Sequence, residues 1–217
     1  RSVETFELFD DKRKFNIKNF SAKADSLLEK QGRLVIILNT PAHNPTGYAL
    51  SDEDWRNVVN YFSSVSKEKK ITLLADIAYI DFAGDEEKYR SFLPIIEEAP
   101  ENVLVVIAHS LSKAYTLYGM RCGAMICMAK TEEIAAEFKR VCEFSARASW
   151  SNCPRAPQVI LSKIYQDPKL KAKVDEERKG FRDMLLRRGK AFEEAAAERL
   201  AEMLCYENAA KMMEGTA

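Results

Sequence analysis

RLVIILNT, residues 33–40, is a continuous apolar run that lies between Gly32 and Pro41. Such a run is typical of a β-strand that is buried on both faces of a sheet. A different pattern follows it: Ser51 provides a helix N-cap with Asp54 three residues later, and apolar residues then recur at helical spacing. These apolar residues are Trp55, Val58, Val59, Phe62 and Val65. A buried strand followed by an amphipathic helix predicts an α/β fold.

Further apolar runs continue this alternation. ITLLA (71–75), VLVVIA (103–108) and AMICM (124–128) predict three more strands, and residues 92–98 predict a short helix. Strands that alternate with helices predict a mostly parallel sheet with helices on both faces, which is a three-layer α/β arrangement. The first three strands end directly in the polar segments NTPAHNPTG, DIAY and HSLSK. Because ligands bind beyond the carboxyl ends of parallel strands, these segments predict one site at one edge of the sheet.

The sequence after residue 130 is strongly helical. Residues 131–147 carry an apolar stripe, and the sequence from residue 169 to about residue 199 predicts one long helix. We therefore predict a partial large domain over residues 1–165, followed by a linker helix and an incomplete second domain over residues 166–217. The chain begins at Arg1 without a methionine, and its first thirty residues are polar and poorly periodic. Both features predict a fragment of a longer protein.

Composition argues against several classes of protein. The 33 basic and 33 acidic residues cancel, and no basic block with interleaved aromatic residues indicates nucleic-acid binding. No apolar run approaches the roughly 20 residues that cross a membrane, and the N-terminus lacks the layout of a secretory signal, so we expect a cytoplasmic protein. Five scattered cysteines without a C-x-x-C pair and two distant histidines argue against a disulfide framework and a metal site.

The polar segments and the residues that follow them contain a set of complementary chemical groups. They are Asn44, Asp76, Tyr79, Ser110, Lys113 and Arg121. An amine can form an imine, a carboxylate can hold a protonated ring nitrogen, and a hydroxyl with a guanidinium suits a phosphate. Pyridoxal 5'-phosphate (PLP) needs these partners for its aldehyde, ring nitrogen, phenolic oxygen and phosphate. Each residue taken singly also has an ordinary interpretation, such as a solvated lysine or a turn aspartate.

The order and separation of these segments resemble a known family. NTPAHNPTG, DIAY and SLSKAYTLYGMRCG look like the class I aminotransferases of the fold type I PLP enzymes. RASWSNCP, residues 147–154, resembles the R-x-x-[WY]-S-N-P-P segment of the aspartate and aromatic branch, with Cys153 in place of its first proline. The resemblance covers residues 34–154, the central part of the family's large domain. It implies that residues 1–165 belong to a PLP-binding large domain.

The resemblance implies catalytic roles for three residues. Lys113 holds the cofactor aldehyde as an internal aldimine and then moves a proton between the substrate α-carbon and the cofactor. Asp76 pairs with the ring nitrogen and keeps it protonated. Tyr79, together with Asn44, donates to the phenolic oxygen and so tunes the proton affinity of the imine.

The resemblance also implies binding roles. Ser110 and Arg121 bind the cofactor phosphate, and Ser112 is an additional candidate. Arg147 binds the distal carboxylate of a dicarboxylic substrate in the neighbouring subunit, a bidentate contact that suits arginine better than lysine, and Asn44 contributes to the substrate site. The alternative interpretation of Arg147 is a solvent-facing arginine at a helix end. The family's other phosphate donors and its stacking aromatic lie upstream of the matched region, and its α-carboxylate arginine lies downstream.

The predicted function is amino-group transfer from an aspartate-like or aromatic L-amino acid to a 2-oxo acid such as 2-oxoglutarate. The predicted mechanism is ping-pong, and the resemblance implies a homodimer for the full-length protein. Three alternatives stay open. They are a PLP-dependent C–S lyase or decarboxylase of the same fold, an effector-binding module of a transcription regulator, and a truncated copy that is inactive.

Overall fold

A four-stranded sheet organises the first of the two units into which the chain divides, Arg1–Ile160 and Leu161–Ala217. The computed structural model describes residues 3–213 and, for side chains, residues 3–199. The strands, in spatial order, are β1 (Arg33–Asn39), β2 (Lys70–Asp76), β3 (Val103–Ser110) and β4 (Gly123–Met128). β1, β2 and β3 run parallel, whereas β4 pairs antiparallel with β3. The predicted α/β fold with a mostly parallel sheet is confirmed.

Helices precede and connect these strands and form the rest of the chain. They are α1 (Ile17–Gln31), α2 (Asp52–Ser64), α3 (Phe92–Glu97), α4 (Leu111–Ala114), α5 (Glu132–Ser149), α6 (Arg155–Gln166) and α7 (Pro168–Met213). α1 is not predicted from the sequence. It begins after Asn16, whose side chain accepts a hydrogen bond from the Asn19 amide, and it buries Phe20, Ala24 and Leu28. Their four-residue spacing is the signal that identifies this helix.

The hydrophobic core lies on one face of the sheet. Alternate residues of β1 and β2 are buried there together with apolar residues of α1, α2 and α3. The Trp55 ring of α2 stacks on the Phe92 ring of α3, with ring centroids 5.0 Å apart. Complete burial of a large apolar side chain stabilises a fold by about 2 to 3 kcal/mol. The predicted apolar stripe of α2 therefore holds this helix on the core.

The prediction that β1 is buried on both faces is wrong. Leu34, Ile36 and Leu38 are buried, but Val35 and Ile37 are 64% and 61% exposed. In the described part of the chain β1 is the edge strand of the sheet. β1 contacts helix α1, and the buried residues of α1 belong to the same hydrophobic core as Leu34, Ile36 and Leu38. A continuous apolar run predicts a strand with two apolar faces, but it does not show which of these faces the helices cover.

The second unit is helical where it is described. α7 confirms the predicted long helix and continues it from residue 199 to Met213. Within α7, Asp175 accepts from Lys171 one turn earlier and from Arg178 one turn later. Ion pairs three or four residues apart stabilise a helix by only about 0.2 to 0.5 kcal/mol each.

A capping box defines the start of α2. Ser51 Oγ accepts a hydrogen bond from the Asp54 amide at 3.1 Å, and the Asp54 carboxylate accepts one from the Ser51 amide at 2.9 Å. Two amides at the helix start thus have acceptors that the helix itself does not supply.

We expect Ser51→Ala to lower the free energy of unfolding by about 1 kcal/mol, because the Asp54 amide loses its acceptor. Urea denaturation followed by circular dichroism measures this loss. Ser63→Ala is the matched control, since the Ser63 hydroxyl donates to the Val59 carbonyl within the same helix and such bonds stabilise helices little. An equal loss in the two variants would contradict the capping role.

Candidate active site

The carboxyl ends of β1, β2 and β3 meet at one edge of the sheet. Asn39 of β1 lies beside Asp76 of β2, and Asp76 lies beside Ala108 of β3. β3 extends two residues beyond its apolar run, because His109 and Ser110 pair with β4. The segments that follow the three strands therefore begin at the same edge, as the sequence predicts.

Asn39 joins the first two of these segments. Its Nδ2 donates to the Asp76 carbonyl oxygen at 3.2 Å, and its Oδ1 accepts from the Asn44 amide at 2.8 Å. Asn44 Nδ2 in turn donates to Tyr79 Oη at 3.4 Å. The structure thus brings together Asn44 and Tyr79, two of the predicted site residues. Asn39 itself is not among the predicted residues, and its signal is its position as the first polar residue after the apolar run.

Asp76 ends β2 and is partly exposed. Its Oδ1 accepts from the Ala78 amide at 3.1 Å, which fixes the carboxylate against the turn that follows the strand. A carboxylate has about four acceptor positions, so a carboxylate held in this way can accept further hydrogen bonds.

Lys113 lies on α4, which begins directly after β3. Its Nζ lies 5.3 Å from the centroid of the Tyr79 ring and 4.4 Å from that of the Tyr118 ring. Both separations are within the range of a cation–π contact. Lys113 is partly exposed, whereas its neighbours Ser112 and Ala114 are buried. Tyr118 is not predicted from the sequence, since nothing in the spacing of the segment shows which of its aromatic rings faces the lysine.

Arg121 contacts the same short segment. Its Nη1 donates to the Tyr118 carbonyl oxygen at 2.9 Å and to Ser112 Oγ at 3.4 Å. The φ angle of Arg121 is 49°, a left-handed conformation that costs a non-glycine residue about 1 to 2 kcal/mol. Because of the hydrogen bond to Ser112, the Arg121 guanidinium lies beside this residue, which is the additional candidate for binding the phosphate. Ser110, the first phosphate candidate, lies partly exposed at the end of β3.

Arg147 lies in the last turn of α5 and is exposed. Its Nη1 donates to Ser151 Oγ at 2.5 Å, so its described contact is with the turn that follows the helix. The role predicted for Arg147 in a neighbouring subunit stays a prediction.

A second polar cluster lies next to these residues in the chain. Asp81, which is 9% exposed, accepts from Arg90 Nη2 at 2.9 Å, and His109 Nε2 lies 3.5 Å from its other carboxylate oxygen. Asp81 follows Tyr79 by two residues and His109 precedes Ser110, so the cluster connects the segment after β2 with the end of β3. It is not predicted from the sequence because Asp81 and His109 are 28 residues apart.

Other features concern metals, membranes and thiols. Over the described residues, no group of three or more His, Cys, Asp or Glu side chains is arranged to hold a metal ion. No helix of the described chain combines the length and apolar character needed to cross a membrane.

Cys122, Cys127, Cys142 and Cys153 are free thiols. Burial raises the pKa of Cys127, and the nearby Cys142 raises it further.

Comparisons with known proteins identify the family. The family model described as aminotransferase class I and II matches residues 3–212, and the chain belongs to this family. An aromatic-amino-acid aminotransferase of Pseudomonas aeruginosa is 34% identical over 82% of this chain and 44% of its own length. The cytoplasmic aspartate aminotransferase of Caenorhabditis elegans is 31% identical over 76% of this chain and 38% of its own length. The chain therefore spans less than half the length of these relatives.

Solved structures agree with this assignment. An aminotransferase from Anaerococcus prevotii is 38% identical, with a TM-score of 0.87 over 91% of this chain and 49% of that chain. An aromatic-amino-acid aminotransferase from Burkholderia pseudomallei, solved with covalently bound pyridoxal phosphate, is 26% identical, with a TM-score of 0.68 over 84% of this chain and 44% of that chain. The family and fold predicted from residues 34–154 are confirmed.

Proposed function

We propose that the protein transfers an amino group from an L-amino acid to a 2-oxo acid with PLP as its cofactor. Its membership of the class I and II aminotransferase family supports this reaction, and the relatives named above are aromatic-amino-acid and aspartate aminotransferases. The observation that carries the proposal is the position of Lys113 Nζ beside the Tyr79 ring, with Asn44 bonded to the Tyr79 hydroxyl. An amine and two donors of the predicted kinds thus lie together at the carboxyl edge of the sheet.

The donor set at this edge fits the cofactor. It offers an amine for an aldehyde, a carboxylate for a protonated ring nitrogen, an amide and a phenol for a phenolic oxygen, and hydroxyls with a guanidinium for a phosphate. The contact between Arg121 and Ser112 supports the last of these assignments, because it joins a cation and a hydroxyl on adjacent elements. The proposed cofactor-binding residues are Asn44, Asp76, Tyr79, Ser110, Ser112, Lys113 and Arg121.

When bound, the cofactor supplies an electrophilic carbon and a ring that accepts electron density. Lys113 would hold the cofactor through Nζ, and its amine would take and return a proton at the substrate α-carbon. Asp76 would keep the ring nitrogen protonated, and the Ala78 amide holds its carboxylate at the end of β2. Asn44 and Tyr79 would donate to the phenolic oxygen. The side chains of this chain therefore bind the cofactor, orient it and move the proton.

Substrate choice and assembly form a further part of the proposal. Arg147 recognises the distal carboxylate of a dicarboxylic substrate in the site of a neighbouring subunit, which requires a homodimer. Its exposure at the end of α5 supports this role, because an exposed guanidinium can make a bidentate contact with a carboxylate. In this proposal the amino-group donor is an aspartate-like or aromatic amino acid, and the acceptor is 2-oxoglutarate. The proposed location of the protein is the cytoplasm.

Lys113→Ala tests the cofactor site. With PLP, we expect the purified protein to show the visible absorbance of lysine-bound cofactor, and peptide mapping after borohydride reduction to locate the cofactor on Lys113. The variant loses both signals because alanine has no amine that can attach the cofactor. Lys88→Ala is the matched control, since Lys88 is exposed and its Nζ also lies near a tyrosine ring, 5.4 Å from the Tyr89 centroid. Equal cofactor attachment in Lys113→Ala and wild type would refute the assignment.

Product analysis tests the reaction. We expect continuous turnover of L-aspartate or an aromatic amino acid only when 2-oxoglutarate is present, with L-glutamate and the matching 2-oxo acid formed in equal amounts. A lyase would release ammonia or pyruvate from one substrate alone, and a decarboxylase would release carbon dioxide. A protein that binds these compounds without turnover would instead support the effector-binding alternative or an inactive copy.

Arg147→Lys tests substrate choice. We expect kcat/KM for L-aspartate to fall about tenfold, because lysine keeps the charge but cannot make the bidentate contact. The value for phenylalanine, which has no distal carboxylate, changes less. Arg140→Lys on the exposed face of α5 is the control and leaves both values unchanged. Parallel losses for aspartate and phenylalanine in Arg147→Lys would argue against carboxylate recognition.

A further inference from the structure

We infer that Tyr118 is a positioning residue for Lys113: its ring holds the lysine amine at the site whenever that amine is not bound to the cofactor. This inference rests on the proposed function of Lys113. Lys113 Nζ lies 4.4 Å from the Tyr118 centroid, which is closer than its 5.3 Å separation from the Tyr79 centroid. The amine therefore lies near two aromatic rings, and the Tyr118 ring is the nearer one.

The backbone, rather than the ring, fixes the turn that carries Tyr118. This turn is the 3₁₀ segment Tyr118–Met120, and the Tyr118 carbonyl accepts from Arg121 Nη1 at 2.9 Å. Just before it, the Leu117 amide donates to the Leu111 carbonyl at 3.3 Å and so connects the turn to the start of α4. A substitution of the Tyr118 side chain leaves these bonds in place. Tyr118 is also 55% exposed, so its ring adds little to the core.

The Tyr118 ring adds a second aromatic contact to a side chain that has several rotamers. The backbone of α4 is fixed by the buried neighbours Ser112 and Ala114, but a four-carbon stem keeps several staggered conformations open to Nζ. A ring that attracts the ammonium favours the conformers in which Nζ lies at the edge of the sheet. The ring thus raises the fraction of time for which the ammonium form of Lys113, which returns the proton, lies at the site. It acts through Lys113 and is expected to change kcat more than KM.

Two substitutions separate the ring from the hydroxyl of Tyr118. Tyr118→Phe keeps the aromatic face and removes the hydroxyl, whereas Tyr118→Leu removes the face and leaves a shorter apolar side chain. A positioning role for the ring predicts that only Tyr118→Leu impairs Lys113. We expect thermal unfolding to show that both variants fold, because Tyr118 is exposed.

The first readout is nuclear magnetic resonance of the protein without cofactor. A methylene group next to an aromatic face has its proton signals shifted upfield by the ring current. We expect the ε-methylene signal of Lys113, assigned by its loss in Lys113→Arg, to lie upfield in wild type and Tyr118→Phe and to move downfield in Tyr118→Leu. The Lys88 signal is the internal control, because Lys88 lies near Tyr89 and far in sequence from Tyr118. An unchanged Lys113 signal in Tyr118→Leu would overturn the inference.

The second readout is turnover with the cofactor bound. We expect kcat to fall about fivefold in Tyr118→Leu with KM unchanged, and to stay near the wild-type value in Tyr118→Phe. Cofactor on Lys113 together with an unchanged kcat in Tyr118→Leu would overturn the inference alone, as would an equal loss in Tyr118→Phe. Absence of cofactor from Lys113 in the wild-type protein would overturn the proposed function, and the inference with it.

Discussion

The site depends first on the parallel register of β1, β2 and β3. This register places Asn39 beside Asp76, and Asn39 can then bond both the Asp76 carbonyl and the Asn44 amide. A shift of two residues would move these groups apart by about 7 Å, and a shift of one residue would turn the side chains to the opposite face. The register is fixed on the core side, where alternate residues of the strands are buried among the helices. Apolar packing on one face therefore determines which polar groups meet at the edge.

Polar contacts between segments then hold the edge together where the core does not reach. Asn39 bonds the segment after β1 to the end of β2, and the nearly buried Asp81 connects the segment after β2 with His109 of β3. In the third segment, the Arg121 guanidinium donates hydrogen bonds to Ser112 and to the turn at residues 118–120. Each contact joins groups that lie on different elements. Partly exposed side chains can be held in this way because the backbone on both sides of each contact is part of a strand, a helix or a tight turn.

Local signals predicted most of the fold, whereas contacts between elements and the geometry of turns explain the features of β1 and of the site that were missed. The four strands and α2 are predictable because apolar runs and a capping box are properties of consecutive residues. The exposure of Val35 and Ile37 is not, since it depends on which face of β1 the helices cover. The predicted residues at the edge could be found because their functional groups, an amine, a carboxylate, a phenol and an amide, can be read directly from the sequence. The contact of Lys113 with Tyr118 depends on the geometry of a turn, and no spacing rule for strands or helices describes it.

Gly123 explains how the third segment returns to the site. A Cβ atom at this position would lie 2.6 Å from the His109 carbonyl oxygen, so β4 approaches β3 more closely than a residue with a side chain allows. At this separation the Leu111 amide donates to the Cys122 carbonyl at 3.2 Å, which joins the start of α4 to the residue after Arg121. The chain from residue 111 to residue 122 is thereby closed into a loop, and Arg121 lies beside the helix that carries Lys113. A larger residue at position 123 would separate these strands and move the guanidinium away from Ser112, although Gly123 itself has no side chain in the site.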